Sequence, residues 1–177
     1  MIFLKEFLLN FRMNFFLKKE KIERKAISYE KATHIGLLIH SSNLKDANAI
    51  NEFVSQLLKD GKKVTAISFT PTKKTIHFEF PCFYLSWDDA DWKGDFRREI
   101  IHTFIKTPFD YLYSINISPI LPFNYLLKKA HARCRIGIYQ EGAPLDLMIR
   151  IPNDQDLSFL LEQMIKYSQK ITTGDVS

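Results

Sequence analysis

The sequence predicts an α/β protein with three layers and a mainly parallel sheet. Short apolar or β-branched runs alternate with helical patterns along most of the chain, which is typical of βαβ units. The first of these runs, residues 35–39, is continuously apolar, as expected of a strand that is covered on both faces. With 46% hydrophobic residues in 177, the chain can bury a sizeable core. These observations favour a Rossmann-like sandwich, preceded by a basic amphipathic helix.

The N-terminal arm carries most of the net charge. Residues 1–31 contain eight Lys or Arg and four Asp or Glu, a net charge of +4, whereas the whole chain has +5. An apolar stripe at helical spacing predicts a helix from about residue 2 to about residue 24; its members are Leu4, Phe7, Leu8, Phe11 and Phe15. The basic run that follows consists of Lys18, Lys19, Lys21, Arg24 and Lys25. A local basic excess of this kind favours an anionic partner.

The body begins near Tyr29 with a strand–helix–strand unit. After the strand at 35–39, a helix presents one apolar face and ends at Gly61; the residues of that face are Ala47, Ile50, Phe53, Val54, Leu57 and Leu58. The β-branched run 63–69 predicts the second strand. The crossover between the two strands should be right-handed.

The same alternation continues to the end of the body. Further strands are predicted at 82–85, 111–117, 135–139 and 147–151. Helices are predicted at 96–105, at 121–130 and, with Asp154 or Asp156 as the N-cap, over the last apolar stripe from Leu157. The chain therefore divides into an arm at 1–28, an α/β domain at 29–171 and a flexible tail at 172–177.

Polar residues follow the first, fourth and fifth predicted strands, where an open parallel sheet binds its ligands. The candidate ligand-site residues are His40, Ser41, Ser42, Asn43, Asn116, Ser118 and Glu141. A base, hydroxyls and a carboxylate are sufficient for acid–base chemistry. Loops at strand ends are also polar because they meet water and cap helices. No residue is therefore assigned a catalytic role.

The motifs of cofactor and metal chemistry are missing. The chain has no GxGxxG, no GxxxxGK[ST], no HExxH and no GxSxG, so we expect no cofactor and no metal site. Cys82 and Cys134 form no CxxC, which predicts buried apolar residues without a disulfide partner in a reducing cytoplasm. No apolar run approaches the roughly 18 residues of a membrane span. The basic cluster follows the apolar segment, which is the wrong order for a secretory signal.

Five segments of the body resemble an uncharacterised family of small α/β proteins from Bacteroidota. The segments are Ile35-Gly-Leu-Leu, Leu58-Lys-Asp-Gly-Lys-Lys-Val, Pro108-Phe-Asp-Tyr-Leu, Cys134-Arg-Ile-Gly and Asp146-Leu-Met-Ile. The resemblance implies an α/β fold and a bacterial cytoplasm, and no assigned activity.

A second resemblance is fainter. Phe109-Asp-Tyr-Leu-Tyr-Ser-Ile-Asn and Ala130-His-Ala-Arg-Cys-Arg-Ile-Gly are similar to the acceptor-side half of heptosyltransferase-like glycosyltransferases. Those enzymes hold the sugar nucleotide with a second Rossmann-like domain, for which this chain has no room. The resemblance implies that catalysis has been lost or requires a partner.

The sequence as a whole favours a non-enzymatic α/β binding module that the basic arm attaches to an anionic surface or a larger assembly. RNA, as in the ribosome, is slightly favoured over a membrane surface. A third possibility is that the apolar stripe packs on the body or on a partner protein. The alternative function is a small-ligand binder or a degenerate glycosyltransferase-like enzyme that uses the strand-end residues. The expected location is the cytoplasm, at the periphery of a membrane or of the ribosome.

Overall fold

The computed structural model describes residues 2–15 (with side chains for 2–10), 27–40, 44–70, 76–91, 96, 99–152 and 155–172. The strands in this part of the chain are β1 His34–Ile39, β2 Lys63–Phe69, β3 Cys82–Leu85, β4 Phe109–Ile115, β5 Ala132–Ile138 and β6 Leu147–Ile149. The helices are α1 Ile2–Phe15, α2 Leu44–Lys59, α3 Glu99–Lys106, α4 Leu121–Lys129 and α5 Leu157–Gln169, with a short 3-10 helix at Trp87–Asp89.

The strands form a single sheet in the order β3-β2-β1-β4-β5-β6. All neighbouring strands are parallel, including β6, whose direction the sequence did not predict. The predicted α/β, Rossmann-like class is therefore confirmed. The chain reverses its direction of travel across the sheet between β1 and β4, which is the topological switch point of such a fold.

The alternating side chains of the sheet separate two hydrophobic clusters. Ile35, Leu37 and Ile39 of β1 face the cluster that contains α2 and α5. Leu38 faces the cluster that contains α3, α4 and Leu9 of α1. The arm's helix therefore belongs to the same layer as α3 and α4, on the opposite side of the sheet from α2.

Two glycines satisfy specific requirements of this packing. A Cβ on Gly36 of β1 would lie 2.8 Å from Leu112 Cδ1 and 3.0 Å from the ring of Phe109, so only glycine fits between these side chains. Gly61 has a φ of +75° and ends α2, as predicted.

A buried lysine, Lys62, holds the turn at 28–32. The Lys62 ammonium donates hydrogen bonds to the carbonyl oxygens of Tyr29 at 2.6 Å, Ala32 at 2.8 Å and Glu30 at 3.3 Å. The Tyr29 hydroxyl donates to Asp60 Oδ2 at 2.7 Å. These bonds tie the turn at 28–32 to the connection between α2 and β2.

Several predicted boundaries shift in the structure. The helix predicted from Phe96 begins at Glu99, and Phe96 instead forms an isolated bridge with Ala90 and is buried. The apolar spacing at Phe96 therefore indicates a buried side chain and not a helical backbone. Leu58 is exposed although its spacing placed it on the core face, because Leu57 already fills that face at the end of α2.

The other differences lie at element ends. β4 and β5 begin two and three residues earlier than predicted, and β6 ends at Ile149. Asp156, and not Asp154, caps α5: its Oδ1 accepts from the backbone N–H of Ser158 and of Phe159. α1 is described up to Phe15, and the rest of the helix predicted to residue 24 lies outside the described residues. The division into arm, domain and tail remains a prediction.

Candidate functional site

The structure places two of the candidate strand-end residues at the topological switch point. His40 follows β1 and Asn116 follows β4, and these strands are neighbours in the sheet. The two ends are joined directly, because the His40 backbone N–H donates to the Ile115 carbonyl oxygen at 2.9 Å. His40 and Asn116 therefore follow neighbouring strands at the same edge of the sheet.

The side chains of this pair are bound to the fold itself. His40 Nδ1 lies 3.0 Å from the Phe69 carbonyl oxygen at the end of β2, so this nitrogen is the donor of the hydrogen bond. The buried Asn116 accepts from Ser114 Oγ at 2.7 Å and donates from Nδ2 to the Ser118 carbonyl oxygen at 2.6 Å. Asn116 thus shapes its own turn.

Of the remaining candidates, Ser118 contacts this pair through its carbonyl oxygen, and Glu141 lies apart from it. Glu141 is exposed on the turn after β5, and β5 lies two strands from β1, a separation of about 10 Å. The space bounded by Asn116, Gln140 and α4 has a volume of about 10 Å³, roughly what one water molecule needs. Ser41, Ser42 and Asn43 lie outside the described residues.

The two cysteines lie in strands of the sheet. Burial raises the pKa of Cys82 to about 12, so this thiol stays protonated at neutral pH. Cys134 is buried in β5, as predicted for an apolar role. Among the residues that the structure describes, no three His, Cys, Asp or Glu side chains are grouped so that they could hold a metal ion.

The second candidate site is the helix α1. One face of this helix packs on the body. Leu9 is fully buried in the cluster that includes α3 and α4. The Lys5 ammonium donates to the carbonyl oxygens of Trp87 at 2.7 Å and Ala90 at 2.6 Å. These carbonyls lie at the 3-10 helix and at the residue that caps its C-terminal end, where a positive charge is favourable.

The opposite face of α1 is apolar and exposed. Phe3 is 86% exposed, Phe7 67% and Leu4 56%. At about 100° per residue, Leu9 lies roughly 160° around the helix from Phe7, so the anchoring face and this exposed face are opposed. The alternative in which the predicted stripe packs on the body is therefore wrong at Leu4 and Phe7, whereas Leu8 is half-buried. The side chains of Phe11 and Phe15 lie outside the described residues.

The sequence did not identify Lys5 and Leu9 as the anchor. The two residues are four positions apart and so share a helix face, which is the one signal that could have separated them from the stripe. None of the helices in the described part of the chain combines the length and the hydropathy that crossing a membrane requires.

Residues 5–171 match the model of DUF6913, a family of unknown function. The chain belongs to this family. The match to DUF6913 begins at Lys5 and therefore includes most of α1 together with all the described strands. It confirms that the chain is an uncharacterised domain, as the first resemblance implied. Comparison with curated proteins gives no match, and comparison with solved structures gives none.

We expect this DUF6913 protein to bind NAD, FAD and ATP only weakly, with a Kd well above the micromolar range. The turn after β1 contains no glycine that would let the backbone approach a pyrophosphate, and His40 and Asn116 are hydrogen-bonded to the fold. Thermal-shift titration is the measurement. A nucleotide that stabilises the protein by about 2.7 kcal/mol at a hundredfold excess over a micromolar Kd would contradict this expectation and favour the small-ligand alternative.

Proposed function

We propose that this protein is a non-enzymatic α/β binding module and that its N-terminal arm attaches the body to an anionic surface. The observation that carries the proposal is the way in which α1 packs on the body. Lys5 and Leu9 hold the helix on the body while Phe3 and Phe7 remain in water. A helix that served only to complete the core would turn its largest apolar side chains inward.

The charge distribution supports an anionic target. The five basic residues that follow α1 lie within eight positions, from Lys18 to Lys25. Residues 32–177 carry 17 Lys or Arg and 16 Asp or Glu, so the body is nearly neutral. The attraction to phosphates is therefore concentrated in the segment that follows α1 in the sequence.

The competing proposal is a small-ligand binder or a degenerate glycosyltransferase-like enzyme at the switch point. The adjacency of His40 and Asn116 favours it. The hydrogen bonds that hold both side chains to the fold weigh against it, because a ligand would have to compete with the Phe69 and Ser118 carbonyl oxygens for the same N–H groups. An origin in Bacteroidota and a cytoplasmic location belong to the proposal and are expectations from the resemblance.

The test compares two charge-reversed proteins with the wild type. In the arm variant, Glu replaces Lys18, Lys19, Lys21, Arg24 and Lys25; in the control variant, Glu replaces five exposed lysines of the body, namely Lys59, Lys63, Lys106, Lys129 and Lys166. Both variants change the net charge equally. Binding is measured by co-sedimentation with anionic vesicles and with ribosomes, in low and in high salt.

The arm variant should bind its surface at least about a hundredfold more weakly than the wild type, because each basic residue near an anionic surface contributes on the order of 1 kcal/mol. The control variant should bind within about threefold of the wild type. An equal loss in the two variants would show that net charge, and not the arm, governs binding, and would overturn the proposal.

A further inference from the structure

We infer that the anionic surface is a lipid bilayer and that Phe3, Leu4 and Phe7 of α1 enter the boundary between its headgroups and acyl chains. This inference rests on the proposed function and narrows it to one kind of surface. The exposed face of α1 that would insert consists of Phe3, Leu4 and Phe7.

The exposed apolar surface of the described residues is concentrated at α1. Among all the described residues, eleven large hydrophobic side chains are exposed, and four of these lie within residues 2–7. The other seven are spread over positions from Leu44 to Tyr167. Single exposed apolar residues are ordinary on a protein surface, whereas a contiguous group marks a contact surface.

The chemistry of the group fits acyl chains better than nucleic acid. Leu4 has neither a charge for phosphates nor a π face for bases, so it gains free energy only by leaving water. Lys5 is the one lysine within residues 2–15, and its ammonium binds the Trp87 and Ala90 carbonyl oxygens of the body. An apolar helix face that a run of Lys and Arg follows in the sequence is typical of helices that lie in the interface of anionic membranes.

The geometry fits a helix that lies along the surface. The described part of α1 has 14 residues and is therefore about 21 Å long. Leu9 and Lys5 hold it along the layer of α3 and α4, with the apolar face outward. Insertion of Phe3 and Phe7 would therefore leave the sheet and the remaining helices on the aqueous side.

The test uses a matched pair of leucine substitutions in the full chain. Leu4 in α1 is 56% exposed and Leu58 in α2 is 52% exposed, and the two helices lie on opposite sides of the sheet. Leu4→Ser, Leu58→Ser and the double variant Phe3→Ser/Phe7→Ser are compared with the wild type by flotation with phosphatidylglycerol vesicles. Ribosome co-sedimentation is measured in parallel, and thermal unfolding verifies that each variant is folded.

Leu4→Ser should weaken vesicle binding by about fivefold to tenfold, and the double phenylalanine variant by about a hundredfold or more, as the loss of buried apolar area requires. Leu58→Ser should bind vesicles as the wild type does. Any binding to ribosomes should not weaken in the same order among the three variants.

The outcomes separate this inference from the proposed function. If the wild type sediments with ribosomes but does not bind vesicles, the inference that the surface is a bilayer is wrong, and the proposed attachment through the basic arm is retained. Vesicle binding that is unchanged by Phe3→Ser/Phe7→Ser, or that falls equally in Leu4→Ser and Leu58→Ser, also overturns the inference. A wild type that binds neither surface overturns the proposed function and this inference together.

Discussion

Replacing Lys62 with Met should lower the free energy of unfolding by about 3 to 5 kcal/mol. The Lys62 ammonium donates to three backbone carbonyl oxygens of the turn at 28–32 and lies 4.6 Å from the centre of the Tyr29 ring. Methionine keeps the apolar stem and removes the charge, so buried acceptors lose their donor and the cation–π contact is lost. Denaturant unfolding of the full chain is the measurement.

The control for this substitution is Lys59→Met. Lys59 is an exposed lysine only three positions earlier in the chain, in the last turn of α2. Its replacement should change the free energy of unfolding by no more than about 0.5 kcal/mol. Equal effects of the two substitutions would show that Lys62 does not hold the turn at 28–32.

Replacing Leu9 with Ala should lower the free energy of unfolding by about 2 to 4 kcal/mol. Leu9 is fully buried against the α3 and α4 layer, so its truncation removes apolar contacts and leaves a cavity. The matched control is Leu4→Ala, the same substitution on the exposed face of the same helix. It should cost less than about 0.5 kcal/mol, since Leu and Ala differ little in helix propensity.

This pair measures how α1 is mounted. If Leu9→Ala costs no more than Leu4→Ala, α1 does not pack on the body through Leu9, and the orientation on which the proposed function rests is wrong. If Leu4→Ala is the more damaging change, the apolar stripe itself packs inward.

The alternation of strands and helices could be predicted because each element leaves a periodic trace. The run at 35–39 and the β-branched run at 63–69 are strands, and Gly61 ends the helix between them. The same reasoning misplaced Phe96, because a side chain can be buried from a loop as well as from a helix. Periodicity reports which residues leave water and does not report the backbone that carries them.

The candidate sites were harder to predict, because they depend on bonds to the backbone. The lysines at 5 and 62 look like ordinary surface residues in the sequence, yet both bind main-chain carbonyl oxygens that only the folded chain brings together. An amphipathic stripe indicates that a helix has an apolar face but does not indicate what that face contacts. For α1 the body buries Leu9, and Leu4 and Phe7 of the stripe remain exposed.

The central claim is that the arm attaches the α/β body to an anionic surface. Equilibrium binding of the intact chain to phosphatidylglycerol vesicles, with ribosomes as the second arm of the experiment, tests it most directly in low and in high salt. We predict binding to the vesicles that weakens as salt screens the basic residues and persists in part, because apolar burial is not screened. Absence of binding to both vesicles and ribosomes in low salt would contradict the claim.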